Sequence, residues 1–212
     1  MAGQDRKPYH KGNVKEDLLH AAEVAVHEST LDDISVRGLC AAVGVTPGNF
    51  YNHYANLDDL LANLAAKFFK EYGKRVDEAR RRHRRPLLRL KAGAREFVHF
   101  AYENPEVYRL MFGTKVPNLM KEPVYRAASE AAMRKTVTEL YGADIYNLED
   151  TSKSQKECIH AYAYFALLNG LARDVIDGLV DLYTPEDIDR FVDRVLGSLL
   201  QGELYKELGH RL

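Results

Sequence analysis

Apolar residues recur along this chain at three- and four-residue intervals and almost nowhere in alternation. Leu18, Leu19, Ala22 and Val26 share one face of a helix predicted over Asn13–Glu28, the spacing of a core-facing stripe. Asn13 stands where an N-cap is expected, with Glu16 as the far half of a capping box. A second stripe, Leu60, Leu61, Leu64, Phe68, Tyr72 and Val76, predicts a long helix from about Leu57 to Arg80. The run RRRHRR at Arg80–Arg85 closes it. At about 1.5 Å per residue that cluster lies more than ~30 Å along the helix, so it reads as a solvated helix end. Pro86 opens a further helix carrying Leu87, Leu90, Phe97, Phe100 and Ala101, and NPEVYRLMFG follows as a short helix capped by Asn104. Another helix is predicted near Met120–Tyr141, then a polar loop over Gly142–Ser154, then a long apolar helix from QKECIHAYAYF through LLNGLARDVI. Thr184 and Pro185 start a last helix with Ile188, Phe191, Val192, Val195, Leu199, Leu200 and Leu204 inward. Val, Ile and Thr form no alternating runs, so no strand is predicted and the fold class is all-α.

The stretch LDDISVRGLCAAVGVTPGNFYNHYANLDDLL departs from this long-helix rhythm. Ser35 can cap a short helix whose inner face is Val36, Leu39, Cys40 and Val43. Gly44 stops it, because glycine adopts the left-handed backbone of a tight turn without steric penalty. Val45 turns back to the core. Thr46 caps a second short helix with Pro47 at its first position, where the missing N–H costs nothing. Phe50 and Tyr54 can anchor it. Two short helices around a glycine turn, behind a longer helix, form a helix-turn-helix. The predicted organisation is a flexible arm over 1–12, a helix-turn-helix head over 13–56, and a helical ligand-binding and dimerisation body over 57–212, with no internal repeat.

The second short helix bears the chemistry. Residues in the N-terminal half of a recognition helix face base edges in the major groove, and Thr46, Pro47, Gly48 and Asn49 occupy that half. Asparagine bonds bidentately to adenine, and threonine or proline can touch a thymine methyl. Tyr51 and His53 can reach phosphates, which position a protein without reading sequence, and Asn52 between them is a further candidate DNA contact. Ser35 and Thr46 sit at helix N-termini that suit a phosphate, and Arg37 can reach a phosphate or a guanine.

Composition modifies this picture in one respect. The net charge is −1, and residues 1–56 hold five Lys/Arg against seven Asp/Glu, whereas DNA-binding heads are usually basic. Neutral donors and helix ends must then replace cations, which predicts a shallow salt dependence. Hydrophobic residues make up 46% and charged residues 29%, as expected of a soluble protein. No apolar run approaches the roughly 18 residues of a membrane span, and the first residues lack the apolar core of a signal peptide. Cys40 and Cys158 are too isolated for a disulfide framework, so a reducing cytoplasm is expected, with Cys40 packed in the core. No HExxH, CxxC, phosphate loop or GxSxG is present. His20, His27, His83, His99 and His160 are scattered, so neither catalysis nor a metal or other cofactor is expected.

Residues 13–61 resemble the DNA-binding domain of the TetR family. The resemblance rests on Gly44, Val45, Phe50, Tyr51, His53, Tyr54, Asp59 and Leu60 in GVTPGNFYNHYANLDDLL. It implies Thr46 and Tyr51 as phosphate contacts and Gly48 and Asn49 as base readers. One departure is Leu57, where the family commonly has lysine. FAYENPEVYRLMFG is similar to a stretch of a TetR subgroup that carries a Trp-His-Gly motif further on. LLNG, residues 167–170, stands in that place with Asn169 for the histidine, and the chain has no Trp. Such a protein is expected to be a ligand-responsive repressor that binds a palindromic operator as a homodimer through its last two helices. Phe97, Phe100, Tyr108, Met111, Phe112, Tyr125, Tyr162, Phe165 and Asn169 are the candidate lining of a pocket for a largely apolar small molecule. Asn169 is the sharpest of these, because a buried amide demands a partner. The competing expectation is a helical protein-binding adaptor whose helix-turn-helix head is degenerate.

Overall fold

A computed structural model describes residues 13–113, 116, 118–141, 151–182 and 184–200. The expected arm over 1–12, most of the loop over 142–154, and Leu204 lie outside the described residues, as does the side chain of Cys158. Among the described residues all regular structure is helical: α1 Val14–Glu28, α2 Val36–Val43, α3 Pro47–Phe50, α4 Leu57–Arg81, α5 Pro86–Glu103, α6 Pro105–Phe112, α7 Pro123–Tyr141, α8 Thr151–Ile176 and α9 Pro185–Leu200. Single 3-10 turns at Leu31–Asp33 and Leu119–Lys121 join them. No described helix is long and apolar enough to cross a membrane.

Local signals set most helix ends. Ser35 Oγ accepts the Gly38 N–H at 3.1 Å, and Thr46 Oγ1 accepts that of Asn49 at 3.3 Å. Gly44 takes the left-handed conformation at φ 80°. Thr184 and Asp187 make a reciprocal capping box, with N–H bonds of 3.0 and 3.1 Å. Asn56 caps α4 through the Asp59 N–H at 2.8 Å, and the Asp59 carboxylate returns a bond to the Ala55 N–H at 2.9 Å. Two expected caps differ. Asn13 precedes α1 but makes no side-chain cap bond. Asn104 precedes α6, yet its amide donates back to the Phe100 carbonyl at 3.1 Å, closing α5 instead. The helix placed after Ser154 already begins at Thr151.

The apolar interior has two linked parts. The first joins Leu18, Ala22, Val26, Leu39, Cys40, Phe50 and Tyr54 of the head to Leu60, Leu64, Phe68 and Phe69 of α4 and to Leu110, Met111 and Tyr125 of the body. The second gathers Leu90, Phe97 and Val98 of α5 with Tyr164, Leu168 and Leu171 of α8 and Ile188, Val192 and Leu196 of α9. Both α8 and α9 pack on α5. Arg95 pairs with Asp193, and His99 meets Asp189 at 2.9 Å, holding α9 against α5.

The end of α4 overturns one expectation. Arg80 is not part of a solvated helix end; it is 4% exposed. Its neighbours Arg81, Arg82, Arg84 and Arg85 are exposed. Arg80 continues the i, i+4 series Phe68, Tyr72, Val76, so the helix turns it inward. Room exists because α5 offers Gly93 there: a Cβ at that position would stand 2.7 Å from Arg80 Nε.

Candidate DNA-reading surface and body cavity

In α3 the apolar and polar residues separate cleanly. Phe50 is fully buried and Tyr54 nearly so, their rings 5.8 Å apart. The Tyr54 hydroxyl donates to the Lys15 carbonyl of α1 at 3.1 Å. Burial, with Asp59 and Glu16 nearby, pushes its phenol up to about 12, so it stays a neutral donor. These anchors fix the opposite face. Ser35, Arg37, Thr46, Pro47, Gly48, Tyr51 and Asn52 are exposed, and Asn49 and His53 are half-buried. Tyr51 is 58% exposed, its ring set edge-on to Phe50 at 5.3 Å, so the hydroxyl is carried outward on a supported ring. The Ser35 and Thr46 hydroxyls serve as caps, leaving the remaining first-turn N–H groups of their helices for an external acceptor. Leu57 is half-buried and packs on the head core. Where the family commonly carries a charge, this chain has a packing residue.

The acidic count of the head is partly neutralised by α4. Lys67 Nζ lies 2.6 Å from Glu23 of α1. Burial alone would push the Glu23 carboxyl up, but Lys67 and His20 outweigh it and hold it below the usual range. Burial also pushes the Cys40 thiol up, which fits a packed, unreactive cysteine.

In the body, Phe69, Met111, Phe112, Tyr125, Ser129, Ala132, Met133, Tyr162, Phe165, Ala166 and Asn169 line an open cavity of about 380 Å³. Six candidate residues thus meet around one space: Met111, Phe112, Tyr125, Tyr162, Phe165 and Asn169. Phe97 and Phe100 do not line it; Phe97 is core, and Phe100 is buried with Arg75 stacked 5.5 Å from its ring centre. Tyr108 acts from behind, donating to Asn169 Oδ1 at 3.0 Å. Burial pushes the Tyr108 phenol up to about 12, with Arg173 and Asp177 as smaller opposing influences. The Asn169 amide also donates to Phe165 O at 2.9 Å, so its demand for partners is met within the protein. A second cavity of about 440 Å³ shares Phe69, Phe112, Ala132 and Phe165 with the first and extends along α4 to Arg80. Sequence reasoning missed Phe69, Ala132 and Arg80; the stripe that named Phe68 and Tyr72 could have found Arg80, one further step of four along α4.

α6 joins the two regions. Near its N-terminus, Glu106 Oε2 accepts the Leu31 N–H of the head at 2.9 Å. Arg109 bridges Glu106 at 2.6 Å and Asp177, beyond α8, at 3.3 Å. At its C-terminal end Met111 and Phe112 are cavity wall, and Tyr125 donates to the Met111 carbonyl at 2.7 Å.

Comparison with known proteins agrees with this architecture. Residues 90–199 match the family described as "Tetracyclin repressor-like, C-terminal domain". The chain belongs to the TetR family of transcriptional regulators. The TetR match covers α6 and the cavity-lining residues of α6, α7 and α8, independently of the head residues. A protein of unknown function from Rhodococcus sp. RHA1 is similar in structure, with TM-score 0.68 and 24% identity over 89% of this chain and 96% of that one. The fatty acid degradation regulator FadR from Bacillus halodurans superposes with TM-score 0.65 and 14% identity over 92% and 98%. RolR, solved with its ligand resorcinol, gives TM-score 0.61 and 17% identity over 92% and 91%. At these identities the likeness is one of fold. No curated protein matches the chain.

Proposed function

We propose that this TetR-family protein is a ligand-responsive repressor that binds a palindromic operator as a homodimer and releases it when a small molecule enters the body. The observation that carries the reading is α3. Phe50 is consumed in anchoring, while Thr46, Pro47, Gly48, Tyr51 and Asn52 in and beside this short helix remain exposed. Asn49 and Gly48 read bases, and Tyr51, Thr46 and His53 hold phosphates. Such a protein works in the cytoplasm, with no chemistry of its own.

Two copies meet through α8 and α9. Between these helices runs a groove lined by Leu167, Leu182, Phe191 and Val195, edged by Asp187, Arg190 and Arg194. Leu179 is exposed just beyond α8. An apolar surface of this kind on a family member fits an isologous four-helix contact. A two-fold pair then sets two α3 helices about one DNA turn apart. A ligand against Met111 and Phe112 shifts α6, and the Glu106–Leu31 bond carries the shift to the head. Release requires that the ligand bind the DNA-incompetent spacing more tightly.

The test is a mobility shift at low salt with fragments around the protein's own coding locus, using material whose mass in solution is that of a dimer. A sequence-dependent shift with a shallow salt slope is expected. A folded dimer that shifts no fragment selectively would refute operator binding and favour an adaptor. Phe191→Asp should give a monomer; an unchanged dimer mass would remove α9 from the interface.

A further inference from the structure

Arg80 is the one described charged residue the core encloses, and the regulator reading gives it no task. It is 4% exposed, and its Nε has no hydrogen-bond partner. Among the described residues no carboxylate pairs with its guanidinium; Asp77, one turn back, is taken by Lys135 across the cleft. Arginine cannot shed its proton to escape burial. An uncompensated buried charge is among the costliest arrangements a core can hold. The surroundings nevertheless accommodate it: Gly93 leaves out the side chain that would collide with Nε.

Arg80 is one of the residues that line the 440 Å³ cavity. Phe69, Phe112, Phe165, Ala128 and Ala132 form the apolar part of its wall, with Tyr72 and Thr136 beside them. Its other charged lining is Lys70, Lys74 and Lys135 against Asp77 alone, a cationic mouth that attracts anions. The volume falls in the range of small-molecule sites, roughly 300–1,000 Å³. A planar guanidinium in a wall shared with aromatic rings matches a planar carboxylate, which it can engage through two parallel N–H bonds.

We propose that the effector is an amphipathic organic acid: its carboxylate pairs with Arg80, and its apolar body lies against Phe69, Phe112 and Phe165. The inference rests on the regulator reading for the word effector, but the binding it asserts is independent of DNA. Gly93 is a positioning residue, holding the guanidinium in place by absence of bulk.

The test uses the full chain and four probes: octanoate and 3-phenylpropanoate, and the matching alcohols octan-1-ol and 3-phenylpropan-1-ol. Calorimetry and thermal shift on the wild type should show acids binding at least ~30-fold more tightly than their alcohols, the ratio expected for a buried charge pair. Arg80→Met should erase that preference and, without ligand, raise the melting temperature. Gly93→Ala keeps the charge but displaces it, and should weaken the acids while leaving the alcohols unchanged. Equal affinity of acid and alcohol for the wild type, unchanged acid affinity in Arg80→Met, or no binding of any probe would overturn the proposal. Mobility shifts with the same probes separate the two readings. Arg80-dependent acid binding without operator release sinks derepression and keeps the site; release by alcohols alone sinks the site and keeps derepression.

Discussion

The head and the body are both helical and both built around buried aromatics, yet they treat interior space oppositely. In the head, Phe50 and Tyr54 are sealed against Leu18, Ala22 and Leu39, and most candidate contacts are exposed. In the body, Phe69, Phe112 and Phe165 border open volume, and six of the nine candidate contacts gather around it. A surface that meets a duplex needs a rigid support, and close packing provides it. A region that takes up a small molecule must keep space that packing would otherwise remove. The same residue types thus serve as wedge in one place and wall in the other.

Matched truncations sharpen that contrast most. Phe50→Ala should cost about 3–5 kcal/mol of stability, because the surrounding core has no room to relax. Phe112→Ala removes the same ring from a site already beside a cavity and should cost clearly less, about 1–3 kcal/mol. Urea denaturation of the two variants measures both; equal losses would erase the distinction. Next in size are effects on DNA. Asn49→Ala should lose about 1–3 kcal/mol of discrimination at one base position, read from operator variants in a binding titration. Tyr51→Phe should lose about 1 kcal/mol uniformly across sequences. Identical specificity profiles for these two would break the division between reading and positioning.

The smallest effect concerns the Glu23–Lys67 contact between α1 and α4. The Glu23 carboxyl is held below its ordinary value. Its contribution is therefore fully present above the unfolded-state value and lost as pH falls through the lower folded value. Both partners are partly exposed, so the loss should stay under about 1 kcal/mol. Glu23→Gln should flatten stability between neutral and mildly acidic pH relative to wild type. An unchanged pH profile would show that the pair contributes nothing.

What could be read from the sequence divides along the same line. Ser35, Gly44, Thr46 and Pro47 act on neighbours within four residues, so their roles in ending and starting helices were legible. The exposure of Tyr51 followed from the spacing of Phe50 and Tyr54. Asn13 and Asn104 hold the N-cap positions expected of them but make no side-chain capping bond, because a capping position does not ensure one. Asn169 was singled out for an unmet amide, but Tyr108, far away in the chain, meets it. Arg80 was hidden by its neighbours. A run of arginines reads as solvent-facing, and only the docking of α5 at Gly93 makes one of them internal. Long-range packing of that kind leaves little trace in local pattern.

The unbroken apolar seam from α1 through α4 to α6 has a practical consequence for dissecting the molecule. A fragment ending before Leu57 would lose Leu60, Leu64 and Phe68, the surface on which its own Leu18, Ala22 and Val26 rest. Such a piece should be sticky and poorly folded rather than a miniature binder. Grafting this specificity onto another protein would require carrying the first half of α4 along with the head.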